Sequence, residues 1–411
     1  MFAKNDVNSI RQLAAELKEI SKDPIHSENI ARWKNHNSLK GDMPMVFVHP
    51  DGAWGELLPY GSLSCEGDAA KGIEYQLRQK LIRAKYIKDD VPIVGEITVR
   101  KHIHSSMWGI GPKVTHSPKQ GGAWAYSPIV EKLSDWEKLS FPKIEYDEHS
   151  TKKAYDEISG LFGDILPVRL LGVTNFSFHL VHWYCDYRGL GNMLADLHDE
   201  PQMVYHAMRF FTDGIKAMLA QYEKMDLISA NSDDTFFYTG GLGYTDELPG
   251  ERAGLKLSEV WGCAEAQEFS CVSPEMHEEF ALGYEREILG YFGLVGYGCC
   301  DDLGKKLGHV TKIKNLRRVA VCPWADIAEF APILKKDYIM TWKPQPAHLA
   351  HEKMDEGAVY AELSEGIRKA RDGILELVLR DTHTCRNEPE RFGRWIDIAR
   401  EAIGQNLRGE Q

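Results

Sequence analysis

Short apolar runs separated by helix-length amphipathic segments recur along most of this chain, and that alternation restricts it to an α/β architecture built on a parallel sheet. Runs of strand character fall at 44–49, 168–173, 227–230, 257–260, 294–298, 317–321, 338–341 and 375–379. Helical periodicity lies between them, at 74–86, 191–225, 274–291, 326–334, 352–372 and 388–403. Eight strand candidates predict a (β/α)8 TIM barrel, with an open doubly wound sheet as the alternative. The chain has 411 residues, more than the roughly 250 of a bare barrel. The surplus is expected in an N-terminal helical extension over 1–43, with helices at 8–21 and at 27–37, the latter capped by Ser27. An inserted loop region at 91–150, rich in Gly, Pro, His and Trp, is expected over the mouth of a barrel spanning 44–411.

A net charge of −12 without any basic block excludes the electrostatic footprint of a nucleic-acid or anionic-membrane binder. Small molecules, other proteins and a homodimeric copy of the chain are the partners this leaves. No apolar run approaches the roughly 20 residues of a membrane span. The first 23 residues set Lys, Asp and Glu among Leu and Ile at helical spacing, unlike a signal peptide, so a cytoplasmic location is expected. The eight cysteines show no disulfide-scaffold spacing and are expected to be reduced. No dinucleotide fingerprint follows the first strand and no P-loop occurs. Gly240-Gly241-Leu242-Gly243 looks like a phosphate loop but does not open a helix.

Thiols and carboxylates gather where the strands end, which is where barrel enzymes build their sites. Cys299 follows the 294–298 run, beside Cys300 and Asp301; one of the two adjacent thiols must point away and pack as a small apolar residue. His383 and Cys385 form an i, i+2 pair after the last strand, one face of an extended segment. Cys299, His383 and Cys385 are therefore the candidate metal ligands, and thiolates near carboxylates suit zinc. Asp233, Glu265 and Asp301 are the candidate catalytic carboxylates, although Asp233 and Asp234 would equally cap the next helix. His49, Trp54, Asn231, Gln267, Tyr297 and Lys343 are the candidate substrate-binding residues, Lys343 being equally a solvated turn residue. Arg188, at the start of the long helix, could meet an anion or pair with Asp186 or Asp196.

The run Arg188-Gly189-Leu190-Gly191 through Asp199-Glu200-Pro201, the helix from Ser273-Pro274-Glu275-Met276 to Tyr284, and Phe292-Gly293-Leu294-Val295-Gly296-Tyr297-Gly298-Cys299 resemble the uroporphyrinogen decarboxylase superfamily. The resemblance covers about 164–403 and is strongest to the decarboxylase-like branch beside the corrinoid-dependent methyltransferases. It implies a (β/α)8 barrel with N-terminal helices. The arginine-rich N-terminal signature of true uroporphyrinogen decarboxylases is replaced by Pro44-Met45-Val46-Phe47-Val48-His49-Pro50-Asp51-Gly52-Ala53-Trp54, which holds no arginine for a polycarboxylate. The methyltransferase branch holds zinc with an H-x-C pair and a later cysteine. Cys299 and Cys385 match that pattern, and Tyr297 stands where the histidine would be.

The resemblance implies a methyltransferase that moves a methyl group from a small O- or N-methylated donor to a corrinoid protein with the help of zinc. Trp54, Trp108, Trp124, Trp183 and Trp261 are candidates for aromatic walls. Two other classes are a metal-independent decarboxylase or lyase for a small carboxylic acid, using Asp233 or Asp234 with His179 or His182, and a binding protein that keeps the barrel without chemistry.

Overall fold

The structure is a computed structural model that describes residues 2–118 and 123–407. Its centre is a seven-stranded, all-parallel sheet. In chain order the strands are β1 Met45–Val48, β2 Ser177–Phe178, β3 Trp261–Ala264, β4 Leu294–Tyr297, β5 Leu316–Val321, β6 Ile339–Trp342 and β7 Ile374–Leu379. They lie in the order β2-β3-β4-β5-β6-β7-β1, so each crossover from β2 onward leads to the adjacent strand. That is the winding of a TIM-like fold. Among the described residues the ladder does not close between β1 and β2. Instead, Asp90 and Asp89 accept the free-edge amides of Val46 and Val48 at 2.8 and 2.9 Å. Two carboxylates thus replace a neighbouring strand and leave no open edge on β1.

The expected elements differ from the observed ones at places with local causes. Of the 227–230 run only Ile228 pairs, in a bridge to Val173, and 257–259 forms a 3₁₀ turn before β3. The second helix starts at Pro24 and is capped by Asp23, not by Ser27. Its Pro24 needs no amide partner at the first helical position. The 191–225 segment is two helices, Leu190–Asp199 and Pro201–Lys224, because Pro201 cannot continue the first but can start the second. The 91–150 region holds a parallel strand, Ile97–Arg100, paired to Val168–Leu171, and two small antiparallel ladders. Its first part therefore belongs with the strands. The N-terminal helix Lys4–Ile20 buries Ile10, Ala14 and Leu17 in an apolar cluster with Leu77, Ile97 and Phe162.

The inner face of the sheet is filled by its own chain. Residues 235–244 form a narrow hairpin, bridged between Phe236 and Leu242. Leu242 and Tyr244 pack on Met45, Phe47 and Val378, Phe237 packs on Trp261 and Cys263, and Gly240 lies against Thr341. One short segment touches β1, β3, β6 and β7, so the sheet must curl around it. At its tip the hairpin meets a fully buried ion pair, Arg318 Nη1 to Glu376 Oε1 at 3.1 Å. Arg318 also donates to the carbonyls of Gly240 (2.6 Å) and Leu242 (3.2 Å) and to the Asn37 side chain, and its guanidinium stacks 4.9 Å from the Trp261 ring. Thr341 donates to Glu376, and His36 lies 3.3 Å from its other oxygen. Burial pushes the Glu376 carboxyl up, but Arg318 and His36 outweigh it and hold the group below its ordinary range.

Gly240 and Gly241 are required there. Both have positive φ, +130° and +73°, and a Cβ on Gly241 would lie 1.7 Å from Arg318 Nη1. The two glycines that look like a phosphate loop in sequence are the tip of this internal plug. Removing one partner of a buried ion pair strands the other charge and costs about 3–5 kcal/mol. Urea unfolding of Glu376→Ala is therefore expected to show a loss of about that size, whereas Arg394→Ala, which breaks an exposed pair with Glu356, leaves the midpoint unchanged.

Candidate active site

Inward-facing positions continue past the strand ends at the two-residue spacing of a strand, and they form the rim of the sheet. His49 follows Phe47, Glu265 follows Cys263, Lys343 follows Thr341 and Arg380 follows Val378. On β4 the spacing is interrupted. Gly298, at φ +88°, turns the chain and brings Cys299 against Lys343.

Cys299 is fully buried. Lys343, itself 1 % exposed, donates from Nζ to the Cys299 carbonyl at 2.8 Å and lies 3.4 Å from its Sγ. The Cys300 thiol is 3.5 Å from the same sulfur, and Asp301 accepts the Cys299 amide at 3.2 Å. The hydrogen bond from Cys300 lowers the Cys299 pKa, burial opposes it, and the Lys343 and Arg380 charges add to the lowering, bringing the thiol to about 6. Cys300 moves the other way, since it keeps the shared proton next to a negative sulfur.

Two histidine–carboxylate pairs and a set of rings lie on the segments that follow β2 and β3 and on the plug. His179 Nδ1 is 2.6 Å from Glu265 Oε1, and Glu265 Oε2 accepts the Gln267 amide at 2.7 Å. One turn along, His182 pairs with Glu268 at 2.7 Å. Burial raises the Glu265 pKa, and the His179 hydrogen bond opposes that rise. Tyr238, from the plug, meets His179 edge-on at 4.5 Å and its carbonyl accepts from Arg380 at 2.7 Å. Burial pushes the Tyr238 hydroxyl up, and the charges of Cys299 and Glu265 push it further. His49 stacks on Phe236 at 4.4 Å and pairs with Asp51 at 2.8 Å.

The sequence places Glu265, Asp301, Lys343, His49 and Cys299 on this rim, and the structure brings them to the strand ends together. Other candidates have different roles. Tyr297 faces the helices, not the pocket: its hydroxyl donates to Glu285 at 2.7 Å and lies 2.9 Å from His277 Nε2. Asn231 cannot bind substrate, because its amide is consumed by Thr174 O, Trp261 O and Trp261 N, filling a place where strand pairing fails. Asp233 pairs with Arg169 and accepts from Thr235. Trp54 is half-buried on the turn after β1, and Gln267 contributes its backbone. Arg188 pairs with Asp196 through two bonds, at 2.7 and 2.8 Å. Arg380, Tyr238 and Phe236 were not among the candidates. Arg380 was visible in the period-two pattern Glu376, Val378, Arg380; the two rings were not, since only the plug brings them here.

The three expected metal ligands do not converge. Cys385 lies 3.3 Å from Glu56 Oε2 and gives its amide to the same oxygen at 2.9 Å. Burial and that carboxylate push its thiol up to about 11. His383 is exposed and lies against Gly52. The two side chains part, His383 to the surface beside Gly52 and Cys385 into the interior on Glu56, in a segment with left-handed residues on both sides of the pair, at Asp381, Arg386 and Asn387. Among the described residues no group of three or more His, Cys, Asp or Glu side chains is arranged to hold a metal ion. A zinc ion on Cys299, His383 and Cys385 does not fit this arrangement. Among the described residues no helix is long and apolar enough to cross a membrane.

No protein-family model matches the chain, and no curated protein matches it. Among solved structures it is similar to a methyltransferase from Methanosarcina mazei, with a TM-score of 0.51 and 9 % sequence identity over 92 % of this chain and 98 % of that one. The likeness shows a shared fold across nearly the whole of both chains.

Two outcomes follow from the geometry. Carboxamidomethylation of Cys299, followed by peptide mapping, should titrate with a midpoint near pH 6. The thiolate is the reactive form, so the rate falls below that pH and is level above it; Lys343→Met should move the midpoint upward. In elemental analysis, Cys385→Ser should leave the metal content unchanged, since Cys385 is committed to Glu56.

Proposed function

We propose that this chain is a methyltransferase that takes a methyl group from a small O- or N-methylated donor and passes it to a corrinoid on a separate protein. The observation that carries the reading is Cys299, a buried thiol whose sulfur lies 3.4 Å from the Lys343 ammonium at the carboxyl ends of the strands. A thiolate kept from water and balanced by a fixed cation is a soft nucleophile, suited to a methyl carbon. The fold shared with the M. mazei methyltransferase and the resemblance to the uroporphyrinogen decarboxylase superfamily support the same reading.

In the first step Cys299 Sγ attacks the methyl carbon. The S–C bond forms, the bond from carbon to the donor heteroatom breaks, and its electron pair goes to that heteroatom. The His179–Glu265 pair supplies the proton that the leaving group needs. Tyr238 meets the His179 ring edge-on and restrains that imidazole. In the second step the methyl leaves sulfur for the acceptor, and the S–C electron pair returns to Sγ, where Lys343 again balances it. A corrinoid, held by its own protein, supplies a strongly nucleophilic acceptor for that methyl.

The test is incubation with isotopically labelled methyl donors and free cob(I)alamin, following methylcobalamin by absorbance and methylated Cys299 by mass spectrometry. Label should reach the Cys299 peptide, and Cys299→Ser should lower turnover by about a thousandfold or more. Full turnover by Cys299→Ser, or no transfer from any ether or amine donor, would overturn the proposal. His179→Gln should slow donors with poor leaving groups more than methyl iodide, which needs no proton.

A further inference from the structure

Arg380 is a cation on the rim whose hydrogen bonding is incomplete, as is that of the carboxylates Asp301 and Glu268. It is 7 % exposed, yet among the described residues only Nη1 makes a hydrogen bond, to the Tyr238 carbonyl at 2.7 Å. Its Nε is buried without a hydrogen-bond partner; the nearest carboxylate oxygen, on Asp381, lies 3.5 Å away. A guanidinium carries five donors, and leaving buried donors unsatisfied is unfavourable. Asp381 and Asp51 balance its charge without giving it a hydrogen bond. Asp51 is engaged by His49 and by the Asp381 amide, and Asp381 also faces Cys300. The rings of Phe236 and Tyr238 cover the guanidinium, with centroids 5.5 and 5.1 Å from its carbon. They cover its plane, and with Nη1 taken by Tyr238 the Nε–Nη2 edge makes no hydrogen bond among the described residues.

We propose that Arg380 is the residue that recognises the methyl donor, and that the donor is a carboxylate with a planar, largely apolar body, such as the methyl ether of an aromatic acid. The inference rests on the methyl-transfer reading above and names its substrate class. A planar fork with free donors matches a carboxylate through two parallel bonds. Phe236, Tyr238 and the stacked His49 offer flat apolar surface beside it. The fixed charges of Arg380 and Lys343 oppose a donor whose only charge is a quaternary ammonium.

The test uses alkylation of the intact protein, which is independent of methyl transfer. Iodoacetate and iodoacetamide each form an S–C bond and release iodide, and they differ mainly in charge. The exposed Cys271 serves as internal reference. The ratio of iodoacetate to iodoacetamide rates at Cys299 should exceed that at Cys271 by about tenfold or more, and Arg380→Met should bring the two ratios together, with Arg380→Lys between. Should Arg380→Met not fold, protection of Cys299 in the parent protein decides: para-methoxybenzoate should slow its alkylation by iodoacetamide at concentrations where anisole does not. Equal ratios at the two cysteines, equal protection by anisole, or no reaction of Cys299 with either reagent would overturn the inference. Methyl transfer from donors that lack a carboxylate would remove this inference and leave the methyltransferase standing. Carboxylate-selective binding without any methylation of Cys299 would do the reverse.

Discussion

The ion pair between Arg318 and Glu376 is the interaction on which the interior is arranged. Two charges with no exposure to water need further polar partners, and all but the Nε of Arg318 find one. Here the partners come from three separate parts of the chain: Asn37 and His36 from the second helix, Thr341 from β6, and the carbonyls of Gly240 and Leu242 from the plug. The pair therefore ties the second helix, the sheet and the hairpin at one point. Its demand for close carbonyls explains why the plug ends in two glycines: a side chain at 241 would occupy the place of the guanidinium. The hairpin is short, so anchoring its tip also sets its other end. Phe236 meets His49, and Tyr238 meets His179 and Arg380.

That dependence also separates what could be seen in the sequence from what could not. Strand and helix alternation was legible because it is periodic, and the parallel sheet follows from it. The rim was legible wherever a strand simply ran one inward position further, as at Glu265 and Lys343. It was not legible where one backbone residue changes the parity. On an unbroken strand Tyr297 and Cys299 would share a face. Gly298, at φ +88°, separates them, so Tyr297 turns outward to Glu285 and His277 while Cys299 turns inward to Lys343. His383 and Cys385 lie in an irregular segment outside any strand, flanked by left-handed residues at Asp381, Arg386 and Asn387, so strand spacing does not apply to them. Asn231 was misjudged for a different reason. Its three bonds to backbone compensate for missing strand pairing, and a pairing defect leaves no mark in composition.

Behind the rim, Tyr297 joins a buried cluster that has no access to the pocket. Burial raises Glu285 to about 8 and lowers His277 to about 3, so both are neutral at pH 7. A neutral carboxyl, a phenol and a neutral imidazole form a chain of hydrogen bonds without net charge, which is the form in which polar groups tolerate burial between a sheet and a helix. The charges are concentrated instead on the inner side, where Lys343, Arg380 and Cys299 meet.

The balance of those charges is what gives the thiol its character. A thiolate can be stabilised by a metal or by fixed cations, and the two solutions make different geometric demands. A metal needs several ligands converging on one point, and here Cys385 is withdrawn to Glu56 and His383 to the surface. A cation needs only proximity and dehydration, and Lys343 satisfies both, pinned by the Cys299 carbonyl so that its ammonium cannot leave the sulfur. The second cation, Arg380, lies beside the first but keeps free donors, so its charge reaches the thiolate while its hydrogen bonds remain open to something else. Cys300, Lys343 and Arg380 all lower the thiol, and the plug, through the Tyr238 carbonyl, holds Arg380 in place beside it.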